Sequence, residues 1–285
     1  MAVTQRHDED GRRGGGRPVG RALRRLVAAS LGMLLAGLTG AVAAPAAYAQ
    51  PGSYVALGDS YSSGLGTREY IDDGSDCRRS EHAYPSLVAE RIGLTLELAA
   101  CSGAVIDDVV ASQLDSLTAG TTDVTISVGG NDAGFADVIT QCALPWAASC
   151  DSDIDAAETF ITDTLPGELD TLYADIRSRA PDAQVVVVGY PRLFNGEECN
   201  LAARISAAEQ DRLNAAADLL ATTIGQQAKA HGFGFVDPRT AFDGHAVCDD
   251  VEWINGLSNP TEESFHPNRA GHVGYADLVE PAVRG

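Results

Sequence analysis

The run Tyr-Val-Ala-Leu at positions 54–57 is apolar throughout and stops at Gly58, the pattern of a buried strand. Four more short runs predict strands: Thr95–Leu98, Val124–Val128 ended by Gly129-Gly130, the fully apolar stretch in Gln184–Val188, and Phe233–Val236. The segments between several of them read as helices. Tyr84–Ile92 has Pro85 in its opening turn. Ile154–Arg179 is largely helical, with a break expected near Pro166-Gly167. Ser206–His231 is alanine-rich; Ser206 and Glu209 fit a capping box, and Gly232 is a stop. A last helix is predicted over Asn268–Val279. Strands alternating with helices predict an α/β fold, a parallel sheet covered on both faces.

The N-terminal 49 residues do not fit this alternation. Seven arginines precede Leu26, and Leu26–Ala49 is uncharged and rich in Leu, Ala, Val and Gly. Ala47-Tyr48-Ala49 then supplies small residues before Gln50, so 1–49 reads as a secretory signal peptide. The rival reading, a membrane anchor, is disfavoured by the glycines and Pro45 inside the run. Arg24-Arg25 leaves the export route open. Residues 50–285 are then expected to be one secreted domain, long enough for a sizeable core.

Charge narrows the partners. The leader takes seven of the 20 basic and three of the 40 acidic residues, which leaves 13 and 37, a net charge near −24. So acidic a chain is expected to bind neither nucleic acid nor anionic lipid by electrostatics, though an apolar groove could still take lipid. All six cysteines, 77, 101, 142, 150, 199 and 248, fall after the leader, and an even count in an exported chain predicts three disulfides. Many connectivities are open; sequential pairing is the simplest. No metal is expected. Asp151, Asp153 and Asp155 begin like a calcium loop, but Ala156 and Thr162 stand where glycine and glutamate are needed. Asp72, Asp73 and Asp76 read as a solvated acidic loop.

Four short segments carry candidate chemistry: Gly58-Asp59-Ser60, Ala100–Ala104, Gly129-Gly130-Asn131-Asp132, and Glu263–Asn268 around His266. Three follow predicted strands, so their tips should gather on one edge of the sheet. A serine hydroxyl needs a neighbouring base to become a nucleophile, and His266 is the best placed. Acyl transfer also needs donors for the developing oxyanion, which the Gly103 N–H and the Asn131 amide could supply. Each has a plainer reading: Gly103 as a turn, Asn131 as a helix N-cap.

Together the four segments resemble the GDSL, or SGNH, hydrolase family, with Ser60, Gly103, Asn131 and His266 at its four signature positions. Tyr54–Gly64, Ser127–Asp132 and the six cysteines are similar to its secreted actinobacterial lipase and esterase branch. The resemblance implies a three-layer α/β/α sandwich around a five-stranded parallel sheet and pairing of Cys77 with Cys101, Cys142 with Cys150 and Cys199 with Cys248. It implies a serine esterase or lipase without cofactor: Ser60 attacks, His266 is base and then acid, and Ser60 N–H, Gly103 N–H and Asn131 hold the oxyanion. The expected partner is a small-molecule or lipid ester, phospholipids included, acted on by a monomer without a stable membrane anchor. Alternatives are a carbohydrate acetylesterase and a non-catalytic binding module. One position departs from the family, whose pattern places an aspartate three residues before the histidine; here it is Glu263. Either the Glu263 carboxylate or, as in some secreted members, a backbone carbonyl, that of Ser264, orients His266. The carbonyl is preferred, because geometry set by Asp need not survive a longer side chain.

Overall fold

A computed structural model describes residues 52–143, 149–199 and 205–285; the expected leader, 1–49, lies outside them. Five strands form one sheet: β1 (Ser53–Gly58), β2 (Thr95–Leu98), β3 (Asp123–Ser127), β4 (Gln184–Val188) and β5 (Gly234–Val236). All neighbours are parallel, in the order β2-β1-β3-β4-β5. The central strands β1, β3 and β4 are buried along most of their length, which is why β1 and β4 read as nearly continuous apolar runs. A polar pair inside this layer, Tyr54 Oη and Thr125 Oγ1, is satisfied at 2.8 Å.

The helices are α1 (Ser60–Ser63), α2 (Tyr84–Ile92), α3 (Ile106–Asp108), α4 (Phe135–Ala143), α5 (Asp151–Asp163), α6 (Leu165–Arg179), α7 (Ala207–Ala230) and α8 (Arg269–Arg284). α3 runs on into a wider π turn, Val109–Gln113. α2 and α8 pack together on one face of the sheet; α5, α6 and α7 pack together on the other. The result is the expected three-layer α/β/α sandwich. Its disulfides join Cys77 to Cys101, Cys142 to Cys150 and Cys199 to Cys248.

One helical expectation holds and two need adjusting. The long helix breaks at Thr164, two residues before Pro166, because proline lacks the N–H that an interior position needs and fits the opening turn of α6. The last helix does not stop at Val279. It passes through Pro281 to Arg284, burying Val283, while the Gln184 side-chain amide donates to the Ala282 carbonyl. Helices α3 and α4 were not expected; both are short, and α4 buries only Val138, Ile139 and Cys142. Among the described residues, no helix is long and apolar enough to cross a membrane.

The order 2-1-3-4-5 reverses direction between β1 and β3, and ligands of open α/β sheets bind beyond the carboxyl ends of the strands at such a switch. Ser60 follows β1 and Asn131 follows β3, so both belong to that crevice.

Candidate active site

The end of β1 is shaped to present a hydroxyl. Gly58 has φ +122°, and a Cβ there would lie 2.2 Å from the Ser127 carbonyl oxygen, so only glycine lets the two strands approach this closely. The buried Gln113 side chain, from the π turn, accepts the Gly58 N–H at 2.7 Å and donates to its carbonyl at 2.9 Å. Asp59 caps α1, its Oδ1 accepting the Tyr61 N–H at 2.9 Å, and Ser60 is the opening residue of that single turn. The hydroxyl is therefore presented by a capped single turn of helix.

His266 reaches this hydroxyl from the far end of the chain: its Nε2 lies 2.8 Å from Ser60 Oγ. Its Nδ1 lies 2.9 Å from the Ser264 carbonyl oxygen. Phe265 makes this bond between residues two apart feasible by adopting φ +60°, a left-handed conformation that non-glycine residues hold only under constraint. The constraint is visible. The Tyr61 hydroxyl donates to the Phe265 carbonyl at 2.9 Å, the Phe265 N–H donates to Asn255 O at 2.8 Å, and the Asn255 N–H donates to His266 O at 2.9 Å. Burial pushes the His266 pKa down to about 4, against the opposing pull of the Ser264 carbonyl. A neutral ring that donates from Nδ1 has its Nε2 lone pair free for the Ser60 proton.

Glu263 faces elsewhere. Its buried carboxylate accepts the Tyr70 hydroxyl at 2.6 Å, and Arg68 Nε lies 3.4 Å away. The Tyr70 hydroxyl in turn accepts the Gly66 N–H at 3.2 Å. Gly66 lies against the histidine segment: a Cβ there would meet Pro267 O at 2.5 Å and His266 Cβ at 3.0 Å. The carboxylate thus braces a loop that packs on His266 without touching the imidazole.

Asn131 does not cap a helix. Its Nδ2 donates to Ala104 O at 3.0 Å, which ties it to the loop that carries Gly103. Gly103 itself is exposed and does not line the cavity described below. Among the described residues, neither the Ser60 nor the Gly103 backbone N–H has an acceptor.

Asp59 lies in the candidate segment Gly58-Asp59-Ser60 but was given no role there, and Tyr190 was not singled out by the sequence. Tyr190 follows β4, and its hydroxyl donates to Asp59 Oδ2 at 2.5 Å. Burial pushes the Asp59 carboxyl up to about 7, while the Tyr190 hydroxyl and the Tyr61 N–H pull it back down. No local pattern marks this tyrosine; only the strand order brings it to Asp59.

A cavity of about 720 Å³ opens at Ser60 and His266. Phe135, Ile139 and Ala143 of α4 form one wall, Ala217 and Leu220 of α7 another, and Leu193 and Phe265 complete it. Its size is that of a pocket for a drug-sized organic molecule, and its surface is mostly apolar beyond the reacting groups. The suspected calcium-loop acids Asp151 and Asp155 instead pair with Arg212 at 3.1 and 2.7 Å, and Asp73 pairs with Arg79 at 2.7 Å. Among the described residues, no cluster of His, Cys, Asp or Glu could hold a metal ion.

Residues 56–273 match the GDSL-like lipase/acylhydrolase family. Lipase 1 of Streptomyces coelicolor is 46% identical over 243 residues, 84% of this chain and 90% of that protein. The extracellular lipase of Streptomyces rimosus superposes with a TM-score of 0.77 at 43% identity, covering 81% of this chain and 99% of the other. Phospholipase A1 from Streptomyces albidoflavus NA297 superposes equally well, at TM-score 0.77 and 40% identity, over 82% of this chain and 99% of its own. The chain belongs to the GDSL-like lipase/acylhydrolase family.

Proposed function

We propose that the mature protein is a secreted serine esterase of the lipase type, which hydrolyses carboxylic esters that carry long acyl chains. The observation that carries the reading is the apolar cavity that opens at the Ser60–His266 pair. Ser60 attacks the ester carbonyl as His266 Nε2 takes its proton. The Ser264 carbonyl holds the imidazole in the tautomer this requires. Ser60 N–H, Gly103 N–H and the Asn131 amide stabilise the oxyanion, His266 returns the proton to the leaving alcohol, and water then releases the acid. Residues 1–49 act as the leader and 50–285 as the catalytic domain, in keeping with an extracellular relative.

The carbohydrate acetylesterase reading fits less well. An acetyl group would leave most of the cavity unfilled, whereas each methylene of a longer chain entering it gains up to about 0.8 kcal/mol. The test is a series of p-nitrophenyl esters from acetate to palmitate, with acetylated xylan and phospholipid beside them. The expected outcome is a kcat/KM that rises with chain length, and activity that falls by at least about a thousandfold in Ser60→Ala. Preference for acetate and acetylated xylan overturns the lipid reading. Near wild-type turnover in Ser60→Ala overturns the mechanism.

A further inference from the structure

We infer that Tyr190 and Asp59 are positioning residues that hold the Ser60 turn and the Asn131 loop in one fixed relation. The inference deepens the mechanism proposed above and rests on it. The tie has three links. The Gly130 N–H donates to the Tyr190 hydroxyl at 3.4 Å, the hydroxyl donates to Asp59 Oδ2 at 2.5 Å, and Asp59 Oδ1 accepts the Tyr61 N–H at 2.9 Å. Its ends are the residue before Asn131 and the residue after Ser60, so it spans the two strand ends that flank the switch point. The Gly130 backbone also lies on the phenol: a Cβ there would meet Tyr190 Cζ at 3.3 Å. The ring stands edge-on to Tyr61 with centroids 5.0 Å apart.

A carboxyl group at the base of an apolar cavity is costly unless each oxygen has a donor, and here each has one. The single Tyr190 proton is committed to Asp59, so it is not free for the oxyanion. Tyr190 therefore acts through geometry, by keeping Ser60 and Asn131 at the separation the reacting carbonyl requires.

The test uses Tyr190→Phe, Asp59→Asn and the double variant, with Ser60→Ala as control, all in the full mature chain with a soluble ester. Phenylalanine keeps the ring and removes the tie; Asp59→Asn keeps an acceptor for the Tyr61 N–H. Tyr190→Phe should lose on the order of tenfold in kcat with KM within about twofold, because a misplaced reacting group affects turnover more than ground-state binding. The double variant should lose no more than the worse single variant, as members of one tie do. A kcat loss under about threefold, a loss carried by KM, or losses that multiply in the double variant overturns the inference. Should Tyr190→Phe not fold, Asp59→Asn is judged by the same kcat and KM limits. If Ser60→Ala stays active, it is the underlying mechanism that fails; if Ser60→Ala is inactive and Tyr190→Phe behaves as wild type, only this inference fails.

Discussion

At the scale of residues, the His266 ring meets a backbone carbonyl at Nδ1 and the Ser60 hydroxyl at Nε2, and that arrangement sets two expectations. Glu263 touches Tyr70 and Arg68, and the Ser264 carbonyl meets Nδ1. Glu263→Ala should therefore lose about tenfold or less in kcat, because the acceptor of Nδ1–H stays in place. It should lose stability by about 1–3 kcal/mol, because the Tyr70 hydroxyl is left without its acceptor. Steady-state kinetics and thermal melts check both; a kcat loss above about a hundredfold, roughly 2.7 kcal/mol, would show that the carboxylate orients the ring after all. The second expectation concerns pH. Burial brings the His266 pKa down to about 4, and only the neutral ring can take the Ser60 proton. The acid limb of kcat/KM should then fall near pH 4, well below the ordinary histidine value of about 6.5. The sign for stability follows from the same displacement. The folded pKa lies below the unfolded one, so the neutral ring's contribution is complete above about 6.5 and is lost as pH falls through about 4. A limb near pH 6.5 that persists in Asp59→Asn would mean that the ring is as well hydrated as a free histidine, since the Asp59 carboxyl itself is pushed up to about 7.

At the scale of elements, α4 is where sequence and structure part most. The five strands were legible to within a residue or two: β1 and β4 because buried parallel strands are largely apolar, β3 from its β-branched residues and the glycines after it, and β2 only as a short alternating run. The Ser206–Glu209 capping box was legible because it is local, and both of its reciprocal bonds form. Helix α4 was not: it is only nine residues long with three buried positions, and its apolar side faces a cavity as well as a core. Gln113 and Tyr190 were illegible for another reason. Each matters through a partner more than fifty residues away, and no local pattern encodes that. Phe265 hid its left-handed backbone, which a glycine would have advertised. The wall role of α4 yields an expectation of its own. Cys142 lies in the last turn of this helix and is bonded to Cys150, eight residues on, next to the start of α5. Replacing both by serine should cost about 2–3 kcal/mol of stability. It should also raise KM for a palmitate ester more than for an acetate ester, since only the longer chain reaches Ala143. Calorimetry and the two KM values decide it, and equal changes for both esters would show that the bridge does not shape the cavity.

At the scale of the whole molecule, three of the four candidate segments were readable together because a parallel sheet sends successive strand ends to one edge, and the fourth, around His266, leads into α8. Ser60, Asn131 and His266 meet there although 206 residues separate the serine from the histidine. Export adds an expectation at this scale: N-terminal sequencing of protein from the culture medium should begin at Gln50, and a product that retains Leu26–Ala49 would refute cleavage at Ala47-Tyr48-Ala49. One residue limits how freely this molecule can be retooled. Phe265 gives its ring to the cavity wall, where it packs on Phe194 with centroids 5.7 Å apart, and its backbone to the turn that aims His266. Ile139 and Leu220 line the same cavity from helices with no part in that turn. Chain-length preference can thus be adjusted at 139 or 220 while the rate of the chemical step is left alone. At 265 the two properties share one residue, and changing the fit of the substrate there also disturbs the aim of the base.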